Sequence, residues 1–445
     1  MIASKQLVET VTVTKPDDND RLALIEPVRV PRRLRVLVFT TVFPSRGLPL
    51  HGIFVLERVR HLAALADVEV VAPVPWHRAG ACGNPGRAVA PILSVCHPRF
   101  WYIPKILMSL RGLFLFVSTA HAIARLRRTF DFDLIDAHFA YPDGFAAILL
   151  GRWFRRPVCV TLRGTIIPLS RRRMGRWLCD WAIRRAERVI AVAHNLADRA
   201  RQGGVAEQRI ATIANGVDSN RFHPVDRCSA RRLLGLSEEG QLLVSVGHLS
   251  PRKGFHRVIR ALPRLLATCP EARLAIVGGK GAEEDNSAEL HKLVREFGVA
   301  DRVVFVGAQP PDHVVLWIGA ADVFVLASDF EGCPNVILEA MACGRPVIAT
   351  KVGDVEHMVP SFAGILLDDP ENAEALAASL TAALTRDWDT QRIHDHVATR
   401  SWGEVAQRVA VQWCLAVDAF RAEPAGGSAT VAKDLVTAVV RSPKA

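Results

Sequence analysis

The chain lacks the marks of several chemistries. Its nine cysteines form no C-x-x-C pair and follow no metal-ligand spacing, which argues against dithiol redox chemistry and structural zinc and fits reduced thiols in a cytoplasmic protein. None of its fifteen histidines falls into H-x-x-x-H or H-E-x-x-H, so no metallohydrolase signature is present. Gly278-Gly-Lys-Gly281 has neither the spacing nor the Ser/Thr of a P-loop. Met1 to Arg29 is polar and mixed rather than a basic and apolar leader, and reads as a disordered tail. The apolar run within Ile103 to Phe130 is broken by Arg111 and is too short and charged to span a bilayer, which takes about 20 apolar residues. Acidic residues are missing altogether between Val70 and Phe130.

What is present is enough for two domains: 445 residues, half of them hydrophobic, so the chain can bury two cores and is not disordered. The net charge of +11 is unevenly spread. Between Pro31 and Ile190 there are 25 Lys plus Arg against nine Asp plus Glu, so that half is strongly basic and the remainder mildly acidic. A basic half suits nucleic acid, an anionic membrane or an acidic acceptor, and an Arg-rich composition with solvated faces gives the same count.

Strand and helix patterns alternate along the chain. Strands are expected at Leu34–Val42, Val68–Ala72, Asp133–Ala137, Pro157–Leu162, Val189–Val192 and Ile210–Ile213, with helices at about Phe54–Leu65, Ile103–Phe130, from Asp143, Arg171–Arg188 and His194–Gln202. Pro73 to Phe100 reads as loop, and the Arg-rich Asn220 to Ser237 as an interdomain linker. The alternation restarts with strands at Leu242–Val246, Ala272–Val277, Val303–Val306, Asp322–Leu326 and Pro346–Thr350, interleaved with helices at Phe255–Ala267, Ala288–Phe297 and Asp312–Ala320. Ser401 and Glu404 make a capping box for a last helix, Trp402 to about Arg421. Such alternation means parallel sheets covered on both faces. The expected organisation is a tail (1–30), a first Rossmann-like domain (31–222), a second (223–400), a closing helix (401–421) and a tail (422–445).

One stretch organises the rest: Glu331-Gly-Cys-Pro-Asn-Val-Ile-Leu-Glu339. It follows a strand and opens a helix at Pro334, a residue suited to a first turn. A helix start attracts anions. Carboxylates beside it make sense when they accept hydrogen bonds from hydroxyls, so the natural ligand carries both phosphate and polyol, as a nucleotide sugar does. Other polar residues sit at the carboxyl ends of strands, where open α/β sheets bind ligands: Gly52, His138, Arg163, Arg252 and Lys253. They come from both halves, which implies a substrate between domains. Each has a plainer reading: His138 as a core histidine, Arg252-Lys253-Gly254 as a solvated turn, Glu339 as a surface glutamate. A guanidinium and an ammonium at such a turn would hold a diphosphate and neutralise a leaving group. Asp131-Phe-Asp133 precedes a buried strand and reads as a turn, not a metal site.

Together Glu331-Gly-Cys-Pro-Asn-Val-Ile-Leu-Glu339-Ala-Met-Ala-Cys-Gly, Val246-Gly-His-Leu-Ser-Pro-Arg-Lys-Gly254, Asn215-Gly-Val-Asp218 and Asp136-Ala-His-Phe139 resemble the family 4 retaining glycosyltransferases. The resemblance runs from about Leu34 to Phe420. It implies the GT-B fold, two facing Rossmann-like doubly wound domains with the last helix crossing back to the first, and transfer of a sugar from a nucleoside diphosphate (UDP or GDP) to a saccharide hydroxyl with retention. By resemblance, Lys253 and Arg252 neutralise the donor diphosphate, Glu339 binds ribose, Glu331 binds the donor sugar, and His138 contacts it from the other domain. Gly52, Arg163, Gly247, His248, Gly332, Cys333, Pro334, Asn335 and Val336 complete the donor site. No cofactor and no metal are expected. Many members carry arginine where this chain has His248; either Arg252 compensates or a protonated His248 binds phosphate.

The expected acceptor is a saccharide or lipid-linked oligosaccharide of bacterial envelope or exopolysaccharide synthesis, with no nucleic acid partner. The expected location is cytoplasmic, with docking on the anionic inner membrane through Arg171, Arg172, Arg173 and Arg176 beside Trp177 and Trp181. Base choice is expected near Gly307–Pro311 and acceptor choice in Pro73–Phe100. The alternatives are a sugar phosphorylase or epimerase on the same architecture, and a nucleotide-sugar-binding protein without catalysis.

Overall fold

A computed structural model of the chain describes residues 33–49, 51–77, 93–102, 107–280 and 285–422, and the backbone of Thr12–Val13 and Ala23–Leu24, a two-residue antiparallel pair. Both expected tails lie almost wholly outside the described residues. Two parallel sheets organise the rest. The first contains β1 (Arg35–Phe39), β2 (Asp67–Val71), β3 (Ser94–Cys96), β4 (Leu134–His138), β5 (Val158–Leu162), β6 (Arg188–Ala191) and β7 (Ile210–Thr212), in the order β7-β6-β5-β4-β1-β2-β3. The second contains β8 (Leu242–Val246), β9 (Arg273–Val277), β10 (Val303–Gly307), β11 (Val323–Leu326), β12 (Val347–Thr350) and β13 (Gly364–Leu367), in the order β10-β9-β8-β11-β12-β13. Strand order reverses between β1 and β4 in one sheet and between β8 and β11 in the other. Crevices outside those strand ends are where doubly wound sheets take ligands.

The two-residue period of a strand explains the layers. In β1, Leu37 and Phe39 pack with the helices Arg111–Arg127, Phe145–Phe154 and Arg173–Arg185, while Val36 and Val38 pack with Ile53–Leu62 and Trp402–Ala422. In the second sheet, Val244, Phe324 and Ala349 face one core, and Leu243, Val323 and Ile348 the other. The last helix therefore lies on the first sheet although its sequence follows the second. Trp402, Val405, Val409 and Trp413 are buried there, Gln412 Oε1 accepts Arg188 Nε at 2.9 Å, and Arg408 donates to the Thr212 carbonyl at 2.9 Å. Ser401 Oγ accepts the Glu404 N–H at 3.2 Å, so the start of this helix is capped as the sequence implies.

Four sequence expectations change. The presumed linker contains a helix, Arg227–Leu233, whose cap Asp226 accepts the Ser229 N–H at 2.7 Å. Its Arg231 is 1% exposed and ties Asp322 (2.7 Å), the Ala320 carbonyl and the Glu238 carbonyl together. These arginines staple a domain rather than solvate a tether. The Pro73–Phe100 loop contributes β3 at the sheet edge and a short parallel pair, Val74–Pro75 with Arg99–Phe100; residues 78–92 lie outside the described set. The stretch after Thr350 holds β13 and helices at Val355–Met358, Ala373–Thr385 and Thr390–Ala398, where the sequence reading assigned nothing. Finally, Trp181 is 4% exposed, packed against Phe145 at 4.6 Å, with Arg185 over its ring, so it faces the core and not a membrane. The helix expected at Ile103–Phe130 runs from Arg111 to Arg127, with residues 103–106 outside the described set; it packs through Leu115, Thr119 and Ile123. Asp131 pairs with Arg127 and Arg156, and Asp133 accepts the Arg35 N–H at 3.1 Å, as a turn before a strand requires.

Candidate active site

Between the two sheets lies a cleft of about 1200 Å³ lined from both halves of the chain. Its second-half wall is built by close backbone approach. Gly254 has φ +70° and lies so near the end of β11 that a Cβ there would meet the Ala327 carbonyl oxygen at 1.8 Å. Only glycine permits this approach. It brings the turn after β8, Pro251–Lys253, against the loop after β11. Arg252 accepts the Asp329 N–H on its carbonyl at 2.8 Å and donates to the Phe330 carbonyl at 3.0 Å. Arg257 buttresses the same loop, donating to the Ala327 carbonyl at 2.6 Å and to Glu371.

The result is a charge cluster. Glu331 Oε1 receives Lys253 Nζ at 2.7 Å, Arg252 at 3.1 Å and Ser328 Oγ at 3.0 Å. Burial would push its carboxyl up, but the charges of Lys253 and Arg252 prevail and hold it below the usual carboxylate range. Glu331 thus engages cations that an incoming anion would use. Cys333, Pro334, Asn335 and Val336 line the cleft at the start of the helix Asn335–Ala342, whose first N–H groups have no intrahelical acceptor.

The first-half wall is arranged differently. Arg163, after β5, lines the cleft and is 5% exposed; its guanidinium stacks over Phe54 at 4.4 Å and donates to Asn215 Oδ1 at 3.3 Å. Among the described residues no carboxylate lies within salt-bridge distance of it, and burial lowers its pKa to about 9. Its second nitrogen donates to His138 Nδ1 at 3.3 Å. A guanidinium only donates, so Nδ1 must carry a lone pair and the proton of the neutral ring sits on Nε2, 3.6 Å from Asp136. Burial drives the His138 pKa to about 4, against the opposing pull of Asp136. Arg58, 1% exposed, approaches the same carboxylate at 3.9 Å. Behind this wall, therefore, two buried guanidiniums stand near one carboxylate.

Most sequence-selected residues do converge. Arg163, Gly247, His248, Arg252, Lys253, Glu331, Gly332, Cys333, Pro334, Asn335 and Val336 line the cleft. Three do not. His138 is fully buried and does not line the cleft; Arg163, which donates to its Nδ1, stands in front of it. Phe139, beside it, does line the cleft, in a backbone conformation (φ +74°) rare for a side chain with Cβ. Gly52 is tucked against Val42 at the start of its helix, and its neighbours His51 and Phe54 face the cleft instead. Glu339, half-buried on the same helix, does not line the cleft; burial raises its pKa to about 7 against the opposing charges of Arg221 and Lys253. His248 is held toward its neutral form by burial and by Lys253 and Arg252. Ala308 and Gln309, in the stretch expected to choose the base, also line the cleft.

Contacts between the halves were not legible in the sequence. Asn215 Nδ2 donates to Asn335 Oδ1 at 2.7 Å, and the His194 N–H donates to Asp354 at 2.9 Å. Gly164 and Gly332 pass so closely that a Cβ on Gly332 would stand 2.9 Å from the Gly164 nitrogen.

Comparison with known proteins decides the family. Residues 51–221 match the model of Glycosyltransferase Family 4, and residues 226–397 that of Glycosyl transferases group 1, together well over half of the chain. The chain is a family 4-type glycosyltransferase. Among similar curated proteins is D-inositol 3-phosphate glycosyltransferase 2 of Catenulispora acidiphila, 32% identical over 55% of this chain and 59% of that protein. Another is TuaC of Bacillus subtilis, a glycosyltransferase assigned to teichuronic acid biosynthesis, 28% identical over 78% of this chain and 88% of that one. The glycosyltransferase thus spans only about half the length of several inositol-phosphate relatives that it matches. Its GT-B fold is shared with HepE of Anabaena, solved with UDP and glucose, at a TM-score of 0.68, 22% identity, 86% of this chain and 99% of that one. Sucrose-phosphate synthase of Thermosynechococcus elongatus gives a TM-score of 0.70 at 21% identity, over 87% and 100%.

Proposed function

We propose that this glycosyltransferase moves a sugar from a UDP- or GDP-linked donor to a hydroxyl of a saccharide acceptor in polysaccharide or envelope synthesis, with retention and without a metal. The observation that carries this reading is the Lys253, Arg252 and Glu331 cluster at the helix start, facing the carboxylate-free Arg163 across the cleft. The two cations would take the diphosphate and offset charge developing on the leaving group. Glu331, released from them, would accept donor-sugar hydroxyls, and Glu339 the ribose hydroxyls. Arg163, set by His138 and Asn215, would add positive charge from the opposite wall. With Glu331 occupied by sugar hydroxyls rather than poised as a nucleophile, departure and attack on one face of the sugar are the favoured course. The neighbour solved with UDP and glucose supports a nucleotide sugar as ligand. A panel of UDP- and GDP-sugars with membrane extract as acceptor tests the assignment: nucleoside diphosphate release and an unchanged anomeric configuration are expected, and normal turnover in Lys253→Ala would refute it.

A lipid-linked acceptor at an anionic membrane is a further part of this reading. Among the described residues no helix is long and apolar enough to cross a bilayer. Leu107 and Met108 are exposed just before the helix Arg111–Arg127, Trp76 and Trp101 form an exposed stack, and Arg171, Arg172 and Arg173 are exposed. Apolar tips with a basic flank suit an acidic lipid surface. Flotation with acidic but not neutral liposomes is expected; equal binding to both, or none, would remove the membrane.

A further inference from the structure

Three metal-ligating side chains from two halves of the chain meet behind the Glu331 loop. His194 opens the helix after β6, and Asp354 and His357 belong to the turn and short helix after β12. Their ligand atoms lie within 4.8 Å of one another, and among the described residues no other group of three does so. His194 Nδ1 stands 2.8 Å from Asp354 Oδ1 and His357 Nδ1 3.7 Å from the same oxygen, with the two imidazoles stacked at 4.3 Å. The aspartate is buried, while the histidine side chains are 52% and 57% exposed. Asp354 is also fixed from behind, its N–H donating to the Gly332 carbonyl at 3.0 Å.

We propose that His194, Asp354 and His357 bind a divalent transition ion, zinc first among them, that clasps the two halves together at the root of the Glu331 loop. Two imidazoles and one carboxylate form a nitrogen-rich set suited to zinc and poorly matched to magnesium or calcium, which prefer oxygen. Ligand bonds of about 2.0–2.2 Å place neighbouring donors roughly 3.3 Å apart in a tetrahedron. The 2.8 Å contact would therefore open slightly and the wider ones close, both within side-chain rotation. Half-exposed imidazoles give the ion an entry path and leave a fourth position to water. None of the three residues lines the cleft, so the ion is regulatory or structural. It acts through Gly332, which Asp354 holds and which follows Glu331. This inference does not depend on the donor or the acceptor.

The test uses chelator-stripped full chain titrated with Co²⁺ and Zn²⁺, read by the visible spectrum of bound cobalt and by thermal shift. One saturable ion per chain is expected, with cobalt bands bleached by zinc and a raised Tm, and no response to Mg²⁺ or Ca²⁺. His194→Ala and His357→Ala should each weaken binding by at least about tenfold while leaving Tm without metal near wild type, since both side chains are half exposed. Unchanged zinc affinity in the double variant, as a site built from cysteines elsewhere would give, overturns the proposal. So does the lack of saturation below about 0.1 mM, where linkage would leave no thermal shift.

Discussion

Replacing Glu331 by glutamine should tighten the binding of a diphosphate while abolishing sugar transfer. Lys253 and Arg252 donate to Glu331 at 2.7 and 3.1 Å, and the side chains of Lys253 and Glu331 are only about a tenth exposed. A diphosphate entering the cleft must draw these cations away from the carboxylate. Each charge-assisted hydrogen bond it displaces is worth about 1.5–3 kcal/mol, so removing the negative charge without changing the shape should improve affinity by about tenfold to a hundredfold. Inorganic pyrophosphate is the appropriate probe, because it reports on the cations without requiring the base to be known. Titration calorimetry of wild type and Glu331→Gln at pH 7.5, near 0.1 M salt, compares the two. Turnover should fall, since the amide cannot accept the same hydrogen bonds from sugar hydroxyls. If the variant binds pyrophosphate no better than wild type, the cations are not held in reserve by Glu331 and the reasoning fails.

Other consequences follow from single residues. Burial raises the Glu339 pKa to about 7 from an ordinary 4.5, so the folded state keeps a proton that the unfolded state gives up. Stability should therefore fall as pH rises from about 4.5 to 7, and denaturation curves of Glu339→Gln should lack that part of the fall. Arg231→Met removes a buried guanidinium from Asp322 and three carbonyls. It should cost about 3 kcal/mol or more, read from urea denaturation. Gly332→Ala forces a Cβ to within 2.9 Å of the Gly164 nitrogen; small-angle scattering should register a wider separation of the halves, and an unchanged profile would mean that this contact does not set it.

The alternation of strands with helices was legible because parallel strands buried on both faces form short apolar runs whose borders a chain reveals locally. The Glu331 to Glu339 motif was legible because a strand, a proline-started helix and two carboxylates lie within one continuous stretch. Depth was not. Trp177 and Trp181 share a helical face by spacing, yet Trp181 alone is sealed, because Phe145 from another helix meets it. The same holds for His138, which Arg163 covers from the next strand. The Arg-rich linker hid a helix whose cap, Asp226 with Ser229, could have been read three residues apart. After Thr350 an asparagine cap was present too, Asn372 accepting the Glu374 and Ala375 N–H groups. Partners such as Asn215 with Asn335 and His194 with Asp354 stand 120 and 160 residues apart, and only the facing of the two sheets unites them.

The two walls of the cleft treat positive charge in opposite ways, and this gives an order to ligand binding. Arg252, about a third exposed, and the nearly buried Lys253 are neutralised in advance by Glu331. Arg163 is buried, stacked on Phe54 and, among the described residues, without a carboxylate in salt-bridge distance, beside a second buried arginine, Arg58, and Asp136. A buried guanidinium left short of charge is costly, so the first half gains most from an anion and the second half gains only after Glu331 yields. A diphosphate should thus be drawn first by the field of Arg163 and then be seated as Lys253 changes partner. Arg163→Met would then slow association of pyrophosphate more than it speeds dissociation, whereas Lys253→Met would chiefly raise the dissociation rate. Stopped-flow measurement of both rates separates the walls. Equal effects of the two variants on association would mean that the two sets of cations act as one.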